Sequence, residues 1–208
     1  MRTLIALTGD SSKGKGTVAD ILRRKGFVCF PLSDVIKIEA KKMGWPTEDR
    51  KVLQTLGDLM RLKEGNDVLV ARTFRLEGFK MADNVVIDGV RHPDEIELIK
   101  DVFDHSVLIA VDMSDERALG LIKERNRAGD PKTMEEYMAL KERERGVPGS
   151  NAMQMDKCLE MADIKLWNEG KVSDLERDLD SGLRGLGIEL SEIKTEMHSG
   201  HNREIHPH

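Results

Sequence analysis

A glycine-rich segment near the start of the chain, from Gly9 to Thr17, constrains the fold more than any other feature. Its sequence is Gly-Asp-Ser-Ser-Lys-Gly-Lys-Gly-Thr, which meets the spacing G-x-x-x-x-G-K in full. An apolar run at residues 4–7 precedes it, and a segment with helical periodicity follows. A loop in this context points its backbone N–H groups at an anion, and the helix after it adds the positive end of its dipole. The sequence therefore predicts a phosphate-binding loop between a strand and a helix.

Individual positions of this loop have distinct predicted roles. Lys15 supplies a mobile positive charge for the β- and γ-phosphates of a nucleotide. Gly16 stands where a Ser or Thr usually contacts magnesium, and the hydroxyl comes one place later at Thr17. We expect the loop to hold a nucleotide through Gly9, Ser12, Lys13, Gly14, Lys15, Gly16 and Thr17.

Size and charge exclude several classes of protein. The 208 residues suit one ordinary domain, and the formal net charge of −5 gives no general attraction for nucleic acid or anionic membrane. No apolar run approaches the roughly 20 residues of a membrane span, and the N-terminus does not resemble a signal peptide. Cys29 and Cys158 lie far apart in no metal-type spacing, so we expect reduced thiols in a cytoplasmic protein, with a pairing as the alternative.

Five short apolar runs predict strands, because they are continuous rather than alternating, as in a sheet covered on both faces. They lie at residues 4–7, 27–32, 85–87, 107–111 and 164–167. Helical patterns separate them, at residues 17–25, 35–43 and 52–60, near 68–72, from Pro93, near 118–122 and near 175–183. We predict an α/β fold with a doubly wound five-stranded parallel sheet in three α/β/α layers.

Two regions interrupt this alternation. Residues 44–80 contain helices with no strand between them, which predicts a helical insertion that covers a substrate. Residues 123–149 are densely charged and end in Gly-Val-Pro-Gly, which predicts a lid and hinge, with a solvated, salt-bridged helix as the alternative. We expect one domain over residues 1–190. The His-rich tail at 191–208 is expected to be disordered, with metal binding as the alternative.

A second motif, Val-Val-Ile-Asp-Gly-Val-Arg-His-Pro at residues 85–93, follows a predicted strand. It delivers Asp88 to the carboxyl edge of the sheet, where α/β proteins bind ligands. If this strand adjoins the first one, Asp88 faces the phosphate-binding loop and can hold magnesium; a strand-end cap is the alternative. The planar fork of Arg91 suits a phosphate, with a surface ion pair to Asp94 or Glu95 as the alternative.

Asp34, at the end of the second strand, has two predicted roles. It can cap the helix that follows. It can also accept a proton from an attacking hydroxyl or orient an acceptor molecule. Both roles are compatible.

Basic residues in the predicted lid point to the same chemistry. Phosphoryl transfer spreads negative charge over the equatorial oxygens, and Lys123, Arg125 and Arg127 can stabilise it. Arg125 and Arg127 cannot share one helical face, so at most one points inward if the helix continues that far. For Arg143 and Arg145 we favour pairing with neighbouring glutamates.

The loop after the fifth strand contains Asn168 and Gly170. In this topology it lies beside the phosphate-binding loop. Its backbone can cradle an adenine, with Asn168 shaping the turn; an ordinary strand-to-helix turn is the alternative.

These tracts resemble the P-loop nucleoside monophosphate kinases. The Gly16-Thr17 variant of the loop is typical of adenylate kinases, and the Asp88–Arg91 tract, the basic pair Arg125 and Arg127 and the Asn-Glu-Gly at 168–170 are similar to that family. The longer pattern resembles dephospho-CoA kinase-like and deoxynucleotide kinase-like members, in which tracts matching residues 32–36, 56–61, 87–93 and 162–164 recur in this order. The resemblance covers about residues 1–185.

The resemblance implies an ATP- and magnesium-dependent kinase with acceptor-binding helices over about 34–80 and a lid over about 123–149. The acceptor would be a small nucleotide-like molecule, foremost a (deoxy)nucleoside monophosphate. A hydroxyl acceptor (dephospho-CoA or a hydroxymethylated base in DNA) and a nucleotide-binding switch or ATPase are the alternatives, and nucleic acid is not favoured.

The resemblance also assigns roles to residues. The catalytic residues would be Lys15, Asp34, Asp88, Arg125 and Arg127. ATP would be bound by the glycine-rich loop together with Arg125, Asn168 and Gly170. The acceptor would be bound by Asp34, Lys37, Arg61 and Arg91, and magnesium by Asp88 and Thr17. This chain departs from adenylate kinases at two points. Val90 replaces an aromatic-proline pair, and Lys37 stands where an arginine is usual, so the acceptor pocket is expected to differ.

Overall fold

The computed structural model describes residues 2–126, 130–145 and 153–190. Within these ranges one parallel sheet contains five strands in the order β2-β3-β1-β4-β5. The strands are β1 (Thr3–Thr8), β2 (Val28–Pro31), β3 (Asn84–Val90), β4 (Ser106–Asp112) and β5 (Ile164–Trp167). All five predicted strands are therefore confirmed.

Helices connect the strands and cover both faces of the sheet. In chain order they are α1 (Lys15–Arg24), α2 (Leu32–Lys42), α3 (Arg50–Glu64), α4 (Val68–Phe74), α5 (Glu77–Met81), α6 (Pro93–Val102), α7 (Asp115–Arg125), α8 (Met134–Arg145), α9 (Met155–Glu160) and α10 (Val172–Gly185). Four of them, α2 to α5, lie between β2 and β3, where the sequence predicts a helical insertion.

The core lies on both sides of the central strand β1, because its successive side chains point to opposite faces. Leu4 and Ala6 belong to one buried cluster, which includes side chains from α2, α3, α4, α6 and α9. Ile5 and Leu7 belong to a second cluster with α1 and α10. The predicted three-layer α/β/α architecture is therefore confirmed.

The helix after β2 begins earlier than predicted. Pro31 has extended backbone angles (φ −66°, ψ 128°) and occupies the N-cap, so α2 begins at Leu32. Asp34 lies inside the first turn, and its predicted role as a cap is wrong. The predicted start at Pro93 is confirmed: His92 caps α6, and the Glu95 carboxylate accepts from the His92 backbone N–H.

The region of the predicted lid contains α7 and α8, which share a small cluster of their own around Met113, Ile122 and Tyr137. Asn126, in the left-handed conformation with φ 47°, is the C-cap of α7, which therefore ends at Arg125. Arg127, the predicted hinge at 146–149 and the His-rich tail lie outside the described residues. Among the described helices, none has the length and hydropathy needed to cross a membrane.

Both cysteines are free thiols, as predicted. Burial raises the pKa of Cys158 to about 12 and that of Cys29 to about 11. Because the thiolate is the reactive form, these raised pKa values disfavour reaction of either thiol at neutral pH.

Candidate nucleotide-binding and phosphoryl-transfer site

A cavity of about 1060 Å³ opens at the carboxyl edge of the sheet, between the glycine-rich loop and helices α2 and α3. Most of the predicted site residues line it: Ser12, Gly14, Lys15, Gly16, Thr17, Lys37, Arg61, Asp88, Arg91 and Arg125. Gly9, Lys13, Asp34, Asn168 and Gly170 are not among the lining residues. The structure therefore brings the two strongest sequence motifs to one cavity.

The loop has the backbone of an anion cradle. Gly9, Ser12 and Gly14 have positive φ angles of 132°, 67° and 104°, and α1 begins directly after Gly14, at Lys15. The Lys15 ammonium donates to the carbonyl oxygens of Gly9 (2.6 Å) and Asp10 (2.8 Å). The lysine thus folds back over the loop, and its charge lies where a phosphate chain would pass.

Asp88 lies beside the loop because β1 and β3 are neighbours and pair Leu7 with Asp88. Its Oδ1 is buried and has no hydrogen-bond partner among the described residues. A buried carboxylate oxygen without a donor is costly, so this position suits a cation. Thr17 lines the same cavity. A carboxylate and a hydroxyl are oxygen ligands of the kind that magnesium prefers, so the residues present fit that ion.

The Lys13 side chain is engaged within the protein, and the predicted contact of this residue with a nucleotide stays a prediction. Its side chain is 2% exposed, and its Nζ contacts Asp115 Oδ1 (2.6 Å), Asp112 Oδ1 (3.2 Å) and the Met113 carbonyl oxygen. Burial works to lower the pKa of Lys13, but the hydrogen bond to Asp115 and the charge of Asp112 outweigh it, so the pKa is raised. The side chain ties the loop to the end of β4 and leaves only its backbone to a ligand.

The loop after β5 adjoins the glycine-rich loop, as predicted. Asn168 is buried and donates through Nδ2 to the Lys13 carbonyl oxygen at 3.4 Å. Arg117, which the sequence analysis did not single out, donates to the carbonyl oxygens of Glu169 (2.7 Å) and Gly170 (2.9 Å). These contacts fix the backbone of residues 168–170, for which adenine contacts stay a prediction.

Both predicted acceptor arginines contact Glu95, Arg61 through its guanidinium and Arg91 through its backbone N–H. Arg61 is 4% exposed, and its Nη2 lies 3.2 Å from Glu95 Oε1. The other carboxylate oxygen of Glu95 accepts from the backbone N–H of Arg91 at 2.7 Å. The Arg91 guanidinium does not pair with Asp94; it donates to Ser11 Oγ of the loop at 3.3 Å.

Two carboxylates of α2 and α3 differ in their position relative to the cavity. Asp34 is exposed and pairs with Lys37 at 3.4 Å, whereas its neighbour Ser33 lines the cavity. Asp58, which the sequence analysis did not assign, also lines the cavity. Burial raises the pKa of Asp58, although the charges of Arg61, Arg143 and Arg91 act in the opposite direction.

The lid side contributes Arg125, whose guanidinium forms a two-pronged contact with Asp130 (Nε–Oδ2 3.0 Å, Nη2–Oδ1 2.8 Å). Arg50, at the first position of α3, contacts the same carboxylate at 3.6 Å and donates to Ser11 Oγ at 2.7 Å. The sequence analysis assigned no site role to Ser11, Arg50 or Asp130. Ser11 carried a signal, since it lies inside the loop motif, but nothing local marks the other two.

The fold of the chain is similar to that of solved kinase structures. The protein resembles TT1252 from Thermus thermophilus (TM-score 0.53, 23% identity, 89% of this chain and 98% of that chain). It also resembles shikimate kinase from Acinetobacter baumannii, solved in complex with shikimate (TM-score 0.55, 14% identity, 91% and 97%). At these identities the likeness shows the fold alone, and it confirms the predicted resemblance to P-loop kinases at that level.

Sequence relatives identify the family. No family model matches the chain. A UPF0200 protein of Hyperthermus butylicus is 30% identical over 178 residues, covering 85% of this chain and 91% of that protein. A UPF0200/UPF0201 protein of Archaeoglobus fulgidus is 32% identical over 199 residues, and this match covers 94% of this chain and 59% of that longer protein. The chain belongs to the UPF0200 family.

Proposed function

We propose that this protein is an ATP- and magnesium-dependent kinase that transfers the γ-phosphoryl group to a nucleotide-like acceptor, foremost a (deoxy)nucleoside monophosphate. One observation carries the proposal: Lys15 lines the same cavity as Asp88, whose buried Oδ1 has no hydrogen-bond partner among the described residues. Arg61, Arg91 and Arg125 line that cavity as well. A cation for phosphates, a carboxylate for a metal ion and arginines for a second anion are the parts that phosphoryl transfer requires.

The donor end follows from the loop. Its backbone N–H groups and the N-terminus of α1 would bind the phosphate chain, and Lys15 would exchange the carbonyl oxygens of Gly9 and Asp10 for phosphate oxygens. Asp88 and Thr17 would hold magnesium, which when bound neutralises charge on the β- and γ-oxygens. Asn168 and Gly170 belong to the loop that would shape the base site.

The acceptor end follows from charge and size. Lys37, Arg61 and Arg91 line the cavity, which favours an anionic acceptor. A cavity for one drug-sized ligand measures about 300–1000 Å³. The 1060 Å³ observed here lies at the upper end of that range, as a site for a large nucleotide-like ligand requires. A phosphate acceptor needs no general base, so catalysis would consist of positioning and charge neutralisation.

A second candidate is transfer to a hydroxyl group. That reaction benefits from a carboxylate that accepts the hydroxyl proton. The sequence favours Asp34 for this role. Asp58 is a second candidate, because it lines the cavity and burial raises its pKa.

An acceptor screen tests the proposal. The full chain is incubated with labelled ATP, magnesium and one acceptor at a time: nucleoside monophosphates, deoxynucleoside monophosphates, dephospho-CoA or hydroxymethylated DNA. We expect ADP formation that depends on an acceptor and falls at least about 100-fold in Lys15→Ala. Lys165→Ala, which removes an exposed lysine of β5, is the matched control. ATP hydrolysis that ignores every acceptor would identify a nucleotide switch instead, and equal activity in Lys15→Ala would refute the loop assignment.

A further inference from the structure

A carboxylate on the lid side of the cavity lies between two arginines from different elements. The Asp130 side chain is 8% exposed and lines the cavity. Arg125, the last residue of α7, holds it through Nε and Nη2, and Arg50 of α3 approaches it to 3.6 Å. One anionic group is thus held at the junction of the predicted lid and the predicted acceptor helices.

Arg50 also connects this carboxylate to the glycine-rich loop. Arg50 contacts Asp130 through Nη1 and donates through Nη2 to Ser11 Oγ at 2.7 Å. Arg91 donates to the same hydroxyl oxygen at 3.3 Å. Ser11 belongs to the loop that contains Lys15, so the Asp130 carboxylate is two contacts away from the predicted phosphate-binding backbone.

The geometry suits a phosphoryl group as well as it suits a carboxylate. The planar fork of an arginine forms the same pair of parallel hydrogen bonds with either group. A phosphoryl group offers three oxygens and nearly twice the charge, so it gains more from two guanidinium groups than a carboxylate does.

We propose that Arg50 and Arg125 form a phosphate-binding subsite in which Asp130 acts as an internal competitor for a substrate phosphoryl group. The inference rests on the proposed function and extends it, since it adds Arg50 to the substrate contacts and gives the lid a built-in anion. Binding of the phosphoryl group exchanges one anion for another between the same two arginines. The two guanidinium groups therefore have an anionic partner both before and after binding.

Equilibrium titrations test the subsite without requiring turnover. The affinities of the full chain for ATP, ADP, adenosine monophosphate and inorganic phosphate are measured by calorimetry. We expect Asp130→Asn to tighten binding of at least one of these about fivefold, since the phosphoryl group no longer displaces a charged partner. We expect Arg50→Gln to weaken binding of the same compound. Glu124→Gln, which removes an exposed charge next to Arg125 in α7, should leave all four affinities unchanged.

The compounds distinguish the two sources of the phosphoryl group. Tightening for ATP without tightening for ADP assigns the subsite to the γ-phosphate of the donor. Tightening for the monophosphate or inorganic phosphate assigns it to the acceptor. Unchanged or weaker binding of all four compounds to Asp130→Asn overturns the inference.

Two checks separate this test from other failures. Thermal denaturation of each variant shows whether it folds, and Arg50→Gln gives a prediction of opposite sign in the same assay. Normal ATP binding and turnover with no effect of Asp130→Asn would overturn the subsite and leave the proposed kinase intact. If the acceptor screen yields no product but Asp130→Asn binds phosphate more tightly, the kinase proposal would be overturned and the subsite would stand.

Discussion

Glu95 Oε1 and Arg61 Nη2 lie 3.2 Å apart in an ion pair whose side chains are 0% and 4% exposed. The second oxygen of Glu95 accepts from the backbone N–H groups of Arg91 (2.7 Å) and His92 (3.1 Å). One buried carboxylate therefore aligns a guanidinium from α3 with the loop that follows β3. Both predicted acceptor arginines depend on it for their position.

Replacing Glu95 by Gln should destabilise the protein, because the charge of Arg61 would remain buried without its main partner. We expect the free energy of unfolding, measured by urea denaturation, to fall by about 3 kcal/mol. Glu97→Gln, an exposed change on the same helix, should alter it by less than about 0.5 kcal/mol. Equal stability of the two variants would show that the Glu95 pair contributes nothing.

Two glycines of the loop should respond differently to alanine. Gly14 has φ 104°, and a Cβ there would lie 2.1 Å from Asn168 Nδ2, whereas a Cβ on Gly16 would meet nothing within 4 Å. Gly14→Ala should lower the free energy of unfolding by about 1–3 kcal/mol, the cost of a strained backbone conformation. Gly16→Ala should leave it unchanged or slightly higher, because Gly16 lies in α1. Thermal denaturation measures both, and a stable Gly14→Ala variant would contradict this account of the loop.

Asp88→Asn should separate stability from metal binding. The change removes the charge of a half-buried carboxylate whose Oδ1 has no partner among the described residues, so the free energy of unfolding without magnesium should stay equal or rise. The magnesium concentration for half-maximal ATP turnover should rise at least about tenfold, since a ligand is lost. Asp83→Asn, at the other end of β3, is the control. An unchanged magnesium requirement would remove Asp88 from the metal site.

The two acceptor-side carboxylates can be compared directly if the screen identifies a hydroxyl acceptor. Asp58→Asn should then lower the rate of transfer about 100-fold with little effect on ATP affinity, as expected for a general base. The Asp34→Asn variant tests the role that the sequence predicts for the exposed carboxylate. A large loss in Asp34→Asn alone would assign the base to Asp34, and no loss in either variant would exclude both.

His92 should make stability depend on pH. Burial lowers the pKa of His92, with Arg61 and Lys157 acting in the same direction and Asp94 and Glu95 opposing them. The unfolded chain therefore binds more protons between the lowered pKa and about 6.5, so the free energy of unfolding falls as the pH falls through that interval.

The matched variant is His92→Asn, which keeps an acceptor for the Asp94 N–H that now bonds to His92 Nδ1 at 3.2 Å. Its free energy of unfolding should decline less between pH 7 and pH 5 than that of the natural chain. Urea denaturation at several pH values measures the difference. Parallel pH profiles of the two proteins would show that His92 does not titrate in this way.

The sequence predicts the elements of the site that depend on local order. The glycine-rich loop needs only a strand before it and a helix after it, and Asp88 needs only its own strand. The order of the sheet then places the two side by side. The cap at Asp34 is wrong because Pro31 already fixes the backbone angles from which a helix starts.

Contacts between distant residues lie beyond such reasoning. The loop motif does not reveal that Lys13 is held by Asp112 and Asp115, about a hundred positions later. The contact between Arg50 and Asp130 likewise joins the predicted helical insertion to the predicted lid, although neither prediction pairs these two residues. In each case the partner is chosen by packing, which becomes visible only when the elements are assembled.

The ion pairs of Lys13 predict which positions should vary together among members of the family. A neutral residue at this position would remove the cation that Asp112 and Asp115 share. Asp115 would keep a second cation, Lys141, whose Nζ lies 2.9 Å from Asp115 Oδ2, whereas Asp112 has no other ion pair among the described residues. Relatives that lack the lysine should therefore have exchanged Asp112 as well, so these two positions should vary together even where the rest of the loop changes.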